Sequence, residues 1–386
     1  MADLLISAPR VIPATGGSGV LEPGYVAVTA GRISAVGAGP PPGRADVELA
    51  EGVLGPGFVD LQVNGYFGVD LAAADAAGWA LVAGRLPETG TTAFLPTCIT
   101  APVAELAAEL RCAASFVPML PRGAARVLGV HLEGPFISPA HRGAHNARWI
   151  IPPSPEAVGA LIVAGAGVLR MVTLAPEAEG GLAAIEQLTA AEVMASVGHS
   201  DATGQQVAAA AAAGARAVTH LFNAQRPLDH REPGVTGQAL ADHRLTSGLI
   251  ADFYHVSPEA CVIAFAAAPG RVGLVTDAAA CAGMPAGRYL LGGEPIELPP
   301  AEGAPPHRPD GTLAGSALRM DLAVANMVSA GVDLPTAVAA ATRVPADLIG
   351  RPDLGRLAPG AAADLVWLDS DLRARGTWID GERVYP

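Results

Sequence analysis

From Gly55 to about Gly350 the chain alternates short apolar runs with longer, alanine-rich stretches, the pattern of repeated strand–helix units. Apolar runs at Phe58–Val63, Thr92–Leu95, Val127–Leu132, Arg170–Leu174, Val193–Val197, Ala217–Leu221, Thr246–Ala251 and Val272–Thr276 predict eight strands. Stretches such as Pro102–Phe116 and Gln205–Ala213 predict helices between them. The expected fold is α/β, a (β/α)8 TIM-type barrel over residues 55–350.

The two ends read differently. Leu4–Ser7, Tyr25–Val28 and Arg32–Val36 are short strand-like runs separated by Gly- and Pro-rich turns. Ala363–Leu368 and Gly376–Ile379 repeat that pattern near the other end. Short strands are marginal alone, so residues 1–54 and 351–386 are expected to form one small β-sandwich domain from both termini.

Composition narrows the class. Hydrophobic residues make up 51% of the 386 and charged residues 16%, which suits a soluble enzyme with a large buried parallel sheet. The alanine-rich stretch Val207–Ala213 is interrupted by Gly214 and Arg216, far short of the roughly 20 apolar residues of a membrane span. Asp3 stands where a signal peptide would carry basic residues, so no signal peptide is expected. A formal net charge of −13 argues against nucleic acid or an anionic membrane as partner, and requires a local cationic pocket for any anionic substrate. Cys98, Cys112, Cys261 and Cys281 form no CxxC pair, which fits a reducing cytoplasm. All 24 basic residues are arginine; without lysine, Schiff-base chemistry, a P-loop and a carboxylated-lysine bridge between two metals are excluded.

Polar residues recur at the predicted strand ends. Gln62 and Asn64 close strand one, His131 and Glu133 strand three, His199 strand five, and His220 and Asn223 strand six. Asp252 and His255 follow strand seven and Asp277 strand eight, so all these groups are expected at one mouth. Glu133, His199 and His220 make two imidazoles and a carboxylate, the ligand class of a catalytic zinc, although iron or another divalent ion suits the same donors. Asp277 ends an apolar strand, where burial is costly without a partner; beside an activated water it can carry a proton. Arg142–Asn146, Leu221–Ala224 and His230–Gly234 offer arginine, histidine and amide groups suited to a phosphate or carboxylate.

Several motifs then resemble one family. Pro56-Gly57-Phe58-Val59-Asp60, His131-Leu132-Glu133-Gly134-Pro135-Phe136, Gly198-His199-Ser200, Thr219-His220-Leu221-Phe222-Asn223-Ala224, Val275-Thr276-Asp277-Ala278 and Gly355–Leu365 are similar to segments of the N-acetylglucosamine-6-phosphate deacetylases of the amidohydrolase superfamily. The resemblance covers essentially the whole chain. It implies hydrolysis of the acetamide of N-acetylglucosamine 6-phosphate, with one divalent ion on Glu133, His199 and His220 and Asp277 as acid/base. It further implies that His145 polarises the acetamido carbonyl. Ala144, Asn223, Ala224, Arg231, His255, Leu313 and Ala314 would contact the phosphorylated sugar, Arg231 from the neighbouring subunit of a homodimer. The rival readings are an amidohydrolase acting on a cyclic amide or N-acyl amino acid, and a barrel without catalysis serving as a scaffold.

Departures from the wider superfamily are informative. Gln62-Val63-Asn64 replaces the His-x-His that completes a second metal site, which points to the single-metal branch and leaves Gln62 and Asn64 as a vestigial site. Phe253 stands where family members often have glycine, and Gln225 where methionine is common. His131 is expected to pack or hydrogen-bond behind Glu133 as support.

Overall fold

The computed structural model describes residues 3–17, 19–301 and 303–386. Eight parallel strands follow one another around a barrel: β1 (Phe58–Val63), β2 (Thr91–Ile99), β3 (Val130–Glu133), β4 (Leu169–Leu174), β5 (Met194–Val197), β6 (Ala217–Val218), β7 (Thr246–Leu249) and β8 (Val272–Leu274). Each pairs with its sequence neighbour. The seam between β8 and β1 is closed just beyond the strand by a Val63–Ala278 bridge and by the Asp277 N–H donating to the Gln62 carbonyl at 2.9 Å. Buried Asp60 staples the same seam, accepting the Thr276 hydroxyl at 2.6 Å.

Helices return the chain outside the barrel: α1 (Ala76–Arg85), α2 (Val103–Phe116), α3 (Pro155–Ala164), α4 (Gly181–Ala190), α5 (Gly204–Ala213), α6 (Gly234–Ala241), α7 (Pro258–Ala267) and α8 (Met320–Ser329). Their alanine content favours helix, and side-chain caps at Asp75, Ser154, Thr203 and Ser257 satisfy free N–H groups where four of them begin. Alanines such as Ala184, Ala210 and Ala264 let the helices lie close on the sheet.

Three strand readings are corrected. Strand two continues to Ile99, because Pro96 and Thr97 are accommodated in a fully buried strand. Strand three is interrupted at Gly129, whose φ of +133° and crowding against Arg170 break the run between Arg126–Val127 and Val130–Glu133. Strand six stops at Val218, since the backbone turns left-handed at His220. A hairpin that the sequence reading lacked, Gly287–Leu291 with Glu294–Leu298, lies between β8 and α8 and packs on Ile99, Ala279, Cys281 and Ala314.

Two four-stranded sheets form the small module. One holds Leu4–Ala8, Gly24–Thr29, Arg32–Ala38 and Val47–Glu48; the other holds Val53–Pro56, Leu365–Leu368, Ala374–Ile379 and Glu382–Tyr385. Ile6, Val26, Ile33, Leu54, Leu365 and Trp378 share one core between them. The position between 54 and 55 falls inside the strand Val53–Pro56. No helix among the described residues is long and apolar enough to cross a membrane.

Candidate active site

Glu133 is the last residue of β3, while His199, His220 and Asp277 stand just past β5, β6 and β8. The latter three are left-handed, with φ of +47°, +27° and +51°. Such a conformation costs a non-glycine residue about 1–3 kcal/mol and concentrates where structure is constrained by function. Neighbouring backbone holds it: His199 accepts the Ser138 N–H at 2.8 Å, and Asp277 the Ser316 N–H at 2.8 Å. Each turn swings its side chain from the barrel wall into the mouth.

Three atoms meet there. Glu133 Oε1 lies 3.1 Å from His199 Nε2 and 2.8 Å from His220 Nε2, and the two nitrogens are 3.1 Å apart. His199 Nδ1 donates to the His141 carbonyl at 2.8 Å, which turns the Nε2 lone pair inward. With its proton on Nδ1, neutral His199 turns a bare Nε2 lone pair toward the Glu133 oxygen and the His220 nitrogen, a conflict that one shared cation would relieve. The edges of a tetrahedral zinc site with bonds near 2.0–2.1 Å are about 3.3 Å, so the triangle fits such an ion. Burial opposes ionisation of Glu133, but the neighbouring imidazoles of His199 and His220 hold it well below the usual carboxylate range. Glu133, His145 and His199 also offer ligand atoms within 4.8 Å of one another. His145 Nε2 is 3.8 Å from Glu133 Oε2, outside the tighter triangle that includes His220.

Around this triangle the remaining groups divide by hydrogen bonding. Asp277 Oδ1 accepts Asn64 Nδ2 at 2.7 Å and Gln62 Nε2 at 3.1 Å, and Gln62 Nε2 also reaches Glu133 Oε1 at 3.2 Å. Burial, with the charge of Glu133 second, pushes the Asp277 carboxyl up to about 7. His145 Nδ1 lies 2.7 Å from the Thr100 hydroxyl, and burial lowers this imidazole to about 3, so it is neutral. His131 does not bond Glu133. Its ring bonds the hydroxyls of Thr173 at 2.7 Å and Thr97 at 3.4 Å, deeper in the barrel.

A cavity of about 350 Å³ opens over these groups. Of the residues expected at the sugar, Ala144, His145, Asn223, Ala224, His255 and Leu313 line it. Ala314 is fully buried in the cluster under the hairpin, and Arg231 is exposed outside the cavity. Gln225 is buried with its amide on the Thr219 carbonyl at 2.6 Å, and left-handed Phe253 (φ +65°) is likewise outside the lining. His255 Nδ1 bonds Asp252 Oδ2 at 2.6 Å, leaving Nε2 as its free nitrogen. Sequence reading missed Thr100, His141 and the hairpin residue Leu291. Thr100 went unnoticed because β2 was expected to end at Leu95; placed at a strand end, it would have carried the same signal as the others.

A parallel barrel with a carboxylate–imidazole donor set at its mouth defines a class of hydrolase, and the comparisons agree. The sequence profile of the amidohydrolase family matches residues 53–384, and the chain belongs to that family. Within it, the chain is similar to the N-acetylgalactosamine-6-phosphate deacetylase of Escherichia coli O157:H7, 39% identical over 339 residues, covering 87% of this chain and 88% of that one. It is 38% identical over 355 residues to the N-acetylglucosamine-6-phosphate deacetylase of Danio rerio, covering 88% and 86%. The solved Mycobacterium smegmatis N-acetyl-D-glucosamine-6-phosphate deacetylase, a variant in complex with N-acetyl-D-glucosamine 6-phosphate, superposes with a TM-score of 0.94 at 37% identity, covering 100% of both chains.

Proposed function

We propose that this chain is a deacetylase hydrolysing the acetamide of N-acetyl-D-glucosamine 6-phosphate to D-glucosamine 6-phosphate and acetate. The observation that carries the reading is the buried Glu133–His199–His220 triangle with Asp277 beside it, in one cavity. Residues 55–350 form the catalytic unit, with 1–54 and 351–386 as its small module.

Glu133, His199 and His220 would hold one divalent ion, zinc or alternatively iron. When bound, such an ion supplies Lewis acidity and an acidified water. Asp277 uses Oδ1 to hold the amides of Gln62 and Asn64, so Oδ2 is the oxygen free to take a proton from the attacking water. The protonated carboxyl can then return that proton to the departing amine. His145 turns its Nε2 toward the cavity as donor to the acetamide oxygen while charge develops there. Asn223, Ala224, His255, Ala144 and Leu313 hold the sugar, with Ala314 backing Leu313.

The phosphate requires a cation. Among the described residues lining the cavity there is no arginine, and the chain carries net charge −13. Arg231, exposed on its loop, supplies that cation to a neighbouring subunit in a homodimer. Four free cysteines fit a cytoplasmic location.

The galactosamine epimer is a second reading, favoured by the deacetylase name of the E. coli relative. Acetate release should be compared on N-acetylglucosamine 6-phosphate, its galactosamine epimer, and unphosphorylated N-acetylglucosamine. The proposal expects the first to have the highest kcat/KM and the last to fall by at least 100-fold. A higher kcat/KM for the epimer supports the second reading; no phosphate preference contradicts both.

A further inference from the structure

Buried Thr100 stands one residue past β2 and faces His145 with two groups. Its hydroxyl lies 2.7 Å from His145 Nδ1, and its backbone N–H donates to the same nitrogen at 3.3 Å. A backbone N–H can only donate, so Nδ1 must present its lone pair and cannot carry the ring proton. That proton is therefore on Nε2, the nitrogen 3.8 Å from Glu133 Oε2 at the cavity. The hydroxyl has one other acceptor in reach, the Glu133 carbonyl at 3.4 Å, far weaker than the 2.7 Å contact. Thr100 thus brings two donors onto one lone pair, the reverse of the carbonyl that fixes His199.

Gly134 makes room for this arrangement. It has φ +91°, and a Cβ there would stand 2.1 Å from the Thr100 hydroxyl oxygen. The glycine following Glu133 is required by the Thr100–His145 pair as well as by the turn.

We propose that Thr100 is a positioning residue that locks His145 in the Nε2–H tautomer, so that His145 is a ready donor to the acetamide oxygen. The inference rests on the reading of His145 as the group polarising that carbonyl. Without the lock, the ring could place its proton on Nδ1 and turn a lone pair toward the developing negative charge, which repels it.

The test uses full-length, metal-loaded protein labelled with ¹⁵N-histidine, with His145 assigned by comparison with His145→Gln. Long-range ¹H–¹⁵N correlation is expected to show protonated Nε2 and bare Nδ1 at His145. Thr100→Val keeps the shape but removes the stronger donor at 2.7 Å, leaving only the longer 3.3 Å backbone N–H on Nδ1. With the lock weakened, kcat should fall by about 10–100-fold with KM within about threefold, and Thr100→Ser should recover most of it. An Nδ1–H tautomer in the wild type overturns the proposal. So does an unchanged kcat in Thr100→Val at equal metal content, or a serine variant as slow as the valine one. If the wild type releases no acetate from the sugar phosphate, the functional reading fails, and the spectrum still decides the tautomer.

Discussion

Asp277 shows how a few hydrogen bonds assign a residue its work. Gln62 and Asn64, expected as remnants of a second metal site, place their amides on one oxygen of Asp277, and Gln62 also bridges to Glu133. They orient and separate two buried carboxylates that would otherwise repel. Asp277→Asn should keep metal content and substrate binding while lowering kcat by about 10²–10⁴-fold, read by steady-state kinetics and elemental analysis. Since Asp277 accepts a proton only when ionised, kcat/KM should rise with pH and level off once the carboxyl is ionised. Burial and Glu133 push it from 3.8 up to about 7, and a bound cation pulls it back down, so the midpoint of that limb lies below about 7. A pH profile falling through this window in the wild type would contradict the assignment. His131 and Glu133 were hard to separate by residue type because both point inward at i and i+2. With about 3.3 Å rise per residue they stand nearly 7 Å apart, which puts His131 a layer lower among threonines.

At the level of elements, the strand–helix alternation was legible because apolar runs and alanine-rich stretches differ in length and composition. Their ends were less so. The turns carrying His199, His220 and Asp277 depend on left-handed backbone at residues other than glycine, a conformation that residue type alone does not dictate. The hairpin Gly287–Leu298 was invisible because its strands carry charged and proline residues, such as Arg288, Pro295 and Glu297, at exposed positions. Gly134, by contrast, is a glycine whose reason is geometric. Gly134→Ala should lower stability by about 1–3 kcal/mol through its left-handed φ and displace the Thr100 hydroxyl. Chemical denaturation and kcat, measured together, should both show the loss; an alanine variant with wild-type stability and turnover would remove the constraint.

Across the whole molecule, the barrel and its two-ended module follow from the sequence pattern, whereas the phosphate-binding cation is only proposed, from a neighbouring subunit. Arg231 has no place in its own cavity. Arg231→Ala should raise KM at least tenfold with a smaller effect on kcat. Co-refolded or co-expressed Arg231→Ala and Asp277→Asn chains should regain activity, because one site of the mixed dimer then has both groups intact; mixtures no better than their parents would contradict a shared site. The central claim, a metal-dependent deacetylase of a phosphorylated amino sugar, is tested most directly by acetate release from N-acetylglucosamine 6-phosphate, using protein of measured metal content. The expected result is one divalent ion per chain, with turnover lost on chelation and regained on adding zinc or iron. Protein that releases no acetate at one ion per chain, or that turns over unchanged after the ion is stripped, would contradict it.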